Sequence, residues 1–172
     1  ERNLIEENEI WDTSIFAWPW DFTKGSSAEN NAIASTDEIG RGNVVRRNLI
    51  HGTFNGVGPC GGAAPPAGIT NETDLYENVL YQHTDDAFEP EGYCANVRLW
   101  GNAIEDVHMA FAVAPAAPGP TWIVRNIAYD FGNSGLQESM LGGARVYLGA
   151  NNVFDEDAPI ILSGVPGNTT GT

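Results

Sequence analysis

Four carboxylates, Asp85, Asp86, Glu89 and Glu91, fall within seven residues near the middle of the chain. Outward residues i and i+2 on a strand stand about 6.5–7 Å apart, the separation at which an inverting glycosidase fits a water between its acid and its base. Glu89 and Glu91 are therefore one candidate catalytic pair. Asp85 and His108 are a second, because a neighbouring carboxylate lifts a histidine towards use at neutral pH. The same oxygens suit calcium, which takes roughly six to eight oxygen ligands, so Asp85, Asp86, Glu89 and Glu91 are also a candidate calcium site. A third reading is solvated acid with turn duties. Clustered anions repel unless protonated, paired or metal-bound, so a cation is expected beside them. Arg98, one strand further round, is the only nearby one, and Arg98 and Asp86 are candidate substrate contacts; a lyase, which must neutralise a uronate, would lean on a bridging metal.

Trp18 and Trp20 are the other residues with chemical use. They sit with Lys24, the only lysine, in an insertion at about residues 14–30. Exposed tryptophans stack on sugar rings, and the alternative is that both pack the insertion against its own strands. A second insertion, at about residues 60–72, is rich in glycine and proline and lacks the Gly-Lys-Ser/Thr of a phosphate loop.

Composition removes several classes of function. Eight Lys and Arg stand against 23 Asp and Glu, a net charge of −15, which repels phosphate backbones, so no nucleic acid partner is expected. No stretch approaches the roughly 20 apolar residues of a membrane span, so no membrane insertion is expected. The 172 residues suit one domain, and 20 Gly with 10 Pro favour turns over a helical bundle. Two cysteines with no Cys/His cluster disfavour zinc. The sequons at Asn71 and Asn168 carry little weight.

The elements that position the acids follow from a repeat. Aliphatic, two variable residues, Asn, one variable residue, aliphatic occurs six times, with its asparagines at 8, 48, 78, 102, 126 and 151. Apolar residues three before and two after the Asn cannot share one face of a continuous strand, because five is an odd offset for a two-residue period. The chain must bend there, and asparagine, which tolerates the left-handed conformation, is expected to make the bend and to ladder with its copies. A second apolar anchor follows nine or ten residues later: Val57, Phe88, Phe111, Leu136 and Ile160 or Ile161. Three strands per unit describe a right-handed parallel β-helix of about six coils, an all-β solenoid. With Phe88 inward, His108 falls beside Asp85, Ala110 beside Ala87 and Ala112 beside Glu89, while Phe54, Gly56, Gly58 and Cys60 lie one coil earlier. The expectation is a shallow groove floored by Gly and Ala, in which an extended polymer could lie.

The Asn-ladder repeat, together with residues 85–92 running into Asn96-Val97-Arg98-Leu99-Trp100-Gly101-Asn102, resembles the right-handed parallel β-helix proteins of the pectate-lyase-like superfamily, in particular secreted bacterial members without an assigned activity. The resemblance spans roughly residues 1 to 155. It implies a secreted, extracellular protein that acts on polysaccharide as a hydrolase or lyase, with substrate lying along one parallel sheet. The alternative it also admits is a non-catalytic structural or adhesive module that assembles or binds glycans.

Three further expectations complete the reading. Cys60 and Cys94, in loops after the same strand of adjacent coils, should form a disulfide. An outward column of Trp11, His51, Tyr81, Glu105, Tyr129 and Phe154 should stack, as a stabilising ladder or as a platform for sugar rings, and Arg46, Arg47 and Arg125 should pair with corner carboxylates such as Glu77. The chain reads as one domain over 1–172, a mature or trimmed piece of a longer solenoid, whose open ends should be covered by another chain, by missing parts of a precursor or by stacking.

Overall fold

Strands too short to stand alone are held here by stacking identical corners. The computed structural model describes residues 2–12, 17–35, 40–60, 70–113, 116–131, 146–147 and 160–163. Strands are numbered in chain order. A six-stranded sheet is built from β1 (Leu4–Glu6), β4 (Val44–Arg46), β8 (Asp74–Tyr76), β11 (Val97–Trp100), β14 (Thr121–Val124) and β17 (Ile160–Ser163), side by side in that order. A second sheet runs β2 (Glu9–Trp11), β5 (Leu49–His51), β9 (Val79–Phe88), β12 (Ala103–Ala112) and β15 (Ile127–Phe131), extended by β3 (Asn31–Ala34), β6 (Asn55–Gly58) and β16 (Val146–Tyr147). A third holds β7 (Thr70–Asn71), β10 (Gly92–Ala95) and β13 (Ala116–Pro118). The pairings within these sheets are parallel, so the protein is all-β with parallel sheets.

The register follows the repeat. Ile5, Val45, Leu75, Leu99 and Ile123 pair in one column, and Ile10, Ile50, Leu80, Ile104 and Ala128 in another, all facing one interior. Between the columns the asparagines stack. Asn8, Asn48, Asn78 and Asn102 each donate Nδ2 to the Oδ1 of the next copy, at 3.1, 3.0, 3.0 and 2.8 Å. Asn78 also donates Nδ2 to the Val45 carbonyl and its own N–H to Asn102 Oδ1, and Asn48 does the same with Ile5 and Asn78. Each interior amide therefore meets its hydrogen-bonding needs where water is absent.

The bend itself differs from the expectation. The left-handed residue is the one before each asparagine: Glu7, Arg47, Glu77, Gly101 and Arg125, with φ between 54° and 66°. The asparagine instead turns its amide inward, a role that no side chain pointing to solvent could fill. The two looser corners that three strands per unit require use Arg2, Gly42, Glu72 and Asn96, and then Gly52, Gln82 and Asp106, all at positive φ.

The second anchors Val57, Phe88 and Phe111 also pair, with Ile33 ahead of them. The last unit is phased differently from the sequence reading. Val146 takes the place beside Phe111, and Leu162 pairs with Ile123, so β17 continues the six-stranded sheet and is not a second anchor. The sixth repeat at Leu148–Val153, Leu136, Phe154, the loop over 61–69 and the Asn168 sequon lie outside the described residues. Cys60 and Cys94 are disulfide-bonded, with Cα atoms 5.3 Å apart. Arg46 and Arg47 pair with Glu6 and Glu7, carboxylates of the preceding unit, and not with Glu77, because stacked corners bring together neighbours across units.

Candidate active site

Asp85 and Asp86 lie on the far half of β9, after the left-handed Gln82 has redirected the strand, whereas Glu89 and Glu91 follow its end at Phe88 and do not alternate along a strand as the sequence reading expected. Up to Val107 opposite His83 the pairing with β12 is regular; a bulge then resets it, with Met109 opposite Asp86 and Phe111 opposite Phe88. The shift leaves His108 across from the Thr84–Asp85 step, between the His83 and Asp86 pairs. On the other side Asp85 donates its N–H to the Phe54 carbonyl, and Glu89 donates its own to Val57.

A chain segment covers this column. The helix α1 (Trp20–Thr23) and the turn after it place Lys24 so that Nζ lies 2.9 Å from Asp85 Oδ2 and 3.0 Å from Glu29, and 5.5 Å from the centre of the Phe54 ring. Trp20 packs against His108, with ring centres 5.7 Å apart. Asp85 is only 1% exposed and Asp86 3%, and both carry an Oδ1 with no hydrogen-bond partner among the described residues. The cation expected beside the acids is thus Lys24, not Arg98. Arg98 belongs to the six-stranded sheet, where Asp74 holds its guanidinium through two bonds of 2.6 and 2.7 Å. One sequence signal pointed to Lys24: it is the only lysine of the chain and stands in its longest insertion.

Charge is unevenly divided. Burial works against the Lys24 ammonium, but the hydrogen bonds and charges of Asp85 and Glu29 outweigh it and hold the proton more firmly than usual. Asp86 is pushed well above the ordinary carboxylate range, first by burial and then by the charges of Asp85 and Glu89. Glu89 is raised to about 7, by burial and next by Glu91, while its side chain shares a hydrogen bond with Asp86. Unlike the two aspartates, Glu89 and Glu91 keep partial access to solvent. His83, wholly buried against Thr53 Oγ1 at 2.9 Å, is lowered to about 4 by burial and stays neutral.

The expected open floor is closed. Ala87, Ala110 and Ala112 have almost no exposed surface. A Cβ at Gly56 would lie 2.3 Å from the Ala87 carbonyl oxygen and 2.7 Å from Leu80 Cδ2, so this column is small because backbone and core crowd it, not to seat a polymer. Glu89 lies over Gly58 at the rim. Trp18 stays on the outside of the α1 segment, 40% exposed, edge-on to Phe22 at 6.2 Å. Among the described residues no three His, Cys, Asp or Glu side chains converge as a metal site, and Asp85 is paired with the Lys24 ammonium. Trp11, His51 and Tyr81 stack at 6.3 and 4.6 Å, forming the first part of the expected outer column. No helix among the described residues is long and apolar enough to cross a membrane.

Comparison with protein-family models, with curated proteins and with solved structures gives no match to this chain.

Proposed function

We propose that the chain is an extracellular right-handed parallel β-helix of the pectate-lyase-like type that hydrolyses a polysaccharide, with Glu89 as proton donor. What carries the reading is the placement of Glu89 at the solvent rim over Gly58 with three other acids beside it, a setting in which burial and those neighbours raise its carboxyl to about 7. Glu89 gives its proton to the leaving glycosidic oxygen as the C–O bond breaks. Glu91, two residues on, takes a proton from the water that adds to the sugar carbon, as in an inverting hydrolase. The polymer meets Glu89 and Glu91 just past the end of β9, because the α1 segment covers Asp85 and Asp86. A hydrolase fits better than a lyase: Lys24 holds its proton too firmly to act as a base, and Arg98 is engaged elsewhere. The disulfide and the acidic surface accord with a secreted protein.

The second reading, a non-catalytic adhesive or structural module, is favoured by the cover over Asp85 and Asp86. Incubating the protein with a polysaccharide panel separates the two. Reducing ends should appear with the native chain and vanish with Glu89→Gln at unchanged circular dichroism and melting temperature. No release by the native chain from any member of the panel would leave the adhesive reading.

A further inference from the structure

On the outer face of the six-stranded sheet, Tyr76 and Trp100 are register neighbours whose rings stack face to face, centres 4.1 Å apart and planes 7° apart. The next residue in that row is Val124. Valine is too small to continue an aromatic stack, so the second face of Trp100 looks onto a notch of about 400 Å³ bounded by Trp100, Trp122, Val124, Arg98 and Arg125. Trp122 forms a side wall and is fixed in orientation by its Nε1–H, which donates to Asn96 Oδ1 at 3.0 Å.

The two arginines differ in what they can still bind. Arg41, Arg46, Arg47 and Arg98 are each paired with a carboxylate. Arg125, exposed at its corner with φ 55°, has no carboxylate partner among the described residues. In a chain of net charge −15 an unpaired guanidinium at the edge of an aromatic notch selects for an anion. A ring one strand-spacing thick with a carboxylate at its edge fits both features.

We propose that this notch binds an anionic saccharide, a pyranose ring stacking on the open face of Trp100 in the place that Val124 leaves free, and its carboxylate meeting Arg125. The site is on a different sheet from β9, the strand that leads to Glu89, and does not depend on the proposed hydrolysis. The test is a titration of the full chain with a hyaluronan tetrasaccharide and with its carboxyl-reduced form, followed by tryptophan fluorescence. Saturable change is expected, tighter for the charged sugar. Trp100→Ala and Arg125→Gln should each weaken it about tenfold, the loss of one stacking or one charge-assisted contact, and Arg125→Gln should also erase the preference for the charged form. Glu89→Gln should bind as the native chain does. No saturable change at millimolar sugar, equal binding of the two forms, an Arg125→Gln titration indistinguishable from the native one, or a fluorescence change that follows protein concentration alone would each overturn the proposal, the last by giving the notch to a second copy of the chain.

Discussion

Two buried polar columns run through this molecule, and they end differently. The corner column consists of asparagines from Asn8 to Asn126, and every interior amide both donates and accepts. The other begins in the same way: Asn55 donates Nδ2 to Asn31 Oδ1 at 3.0 Å, and Asn55 Oδ1 accepts the N–H of Asp86 at 3.1 Å. There the third member is an aspartate, and the acid cluster starts. A carboxyl in the place of an amide has no N–H to pass along the column, keeps an oxygen unpartnered and resists losing its proton. The complete column has the features of a structural part. The interrupted one costs stability, and it is the column on which the proposed hydrolysis is placed.

The sharpest way to break this contrast is to damage the complete column. Asn78→Ala removes the acceptor of two Asn48 donors, both buried, and the donor to Val45. A loss of about 3–4 kcal/mol is expected in urea unfolding. A loss below about 1 kcal/mol would mean that the ladder is incidental to the fold.

Lys24→Met tests the other side, because it strips Asp85 of its counter-charge. The pair is only partly buried on the lysine side, 39% exposed against 1% for Asp85, so about 2 kcal/mol is expected and not the larger cost of a fully enclosed pair. Amide exchange over 17–35 should accelerate. Adding Asp85→Asn to that variant should restore most of the stability; no recovery would show that Lys24 acts by packing on Phe54 and not by charge.

The acid cluster also gives stability a pH slope. Glu89 binds its proton more tightly folded than unfolded, so the folded state holds more protons between the ordinary carboxylate value and about 7. Stability is then greatest below about pH 4.5 as far as this group is concerned, and falls as pH rises through the window to about 7, by on the order of 2 kcal/mol. Asp86 adds in the same direction. Glu29, lowered by the Gly25 N–H and by Lys24 in spite of burial, works the opposite way at lower pH. Melting temperatures of the native chain and of Glu89→Gln from pH 4.5 to 8 should converge at the acid end and separate at the basic end. Parallel curves would remove Glu89 as the titrating group.

Asp86→Asn should be the smaller change, and of opposite sign. It supplies the missing N–H to the Asn31–Asn55 column and removes a crowded acid, so a gain of about 1 kcal/mol is expected at pH 8 and almost none at pH 4.5. The least effect belongs to the outer stack. Trp11, 56% exposed against His51, should cost about 0.5 kcal/mol on replacement by alanine, since only one ring face is covered.

The sequence by itself determined the features that repeat. Spacing of aliphatics about an asparagine specifies the corner, the stacking partner and the interior face, because a two-residue strand period leaves no other way to bury both flanks. From that phase the place of Phe54 beside Asp85 and the Cys60–Cys94 bond followed. What does not repeat was decided by the tertiary structure. Which residue takes the left-handed conformation depends on the asparagine being needed inside. The phase of the last unit moved because its strands are chosen by the sheet edges available to them. The covering of Asp85 and Asp86 depends on an ion pair between residues 61 apart in the chain, formed when an insertion folds back over strands that periodicity alone describes as open. Periodicity reports the backbone path of each unit, whereas the proton affinity of Glu89 and the place of Lys24 depend on what lies across the fold from them.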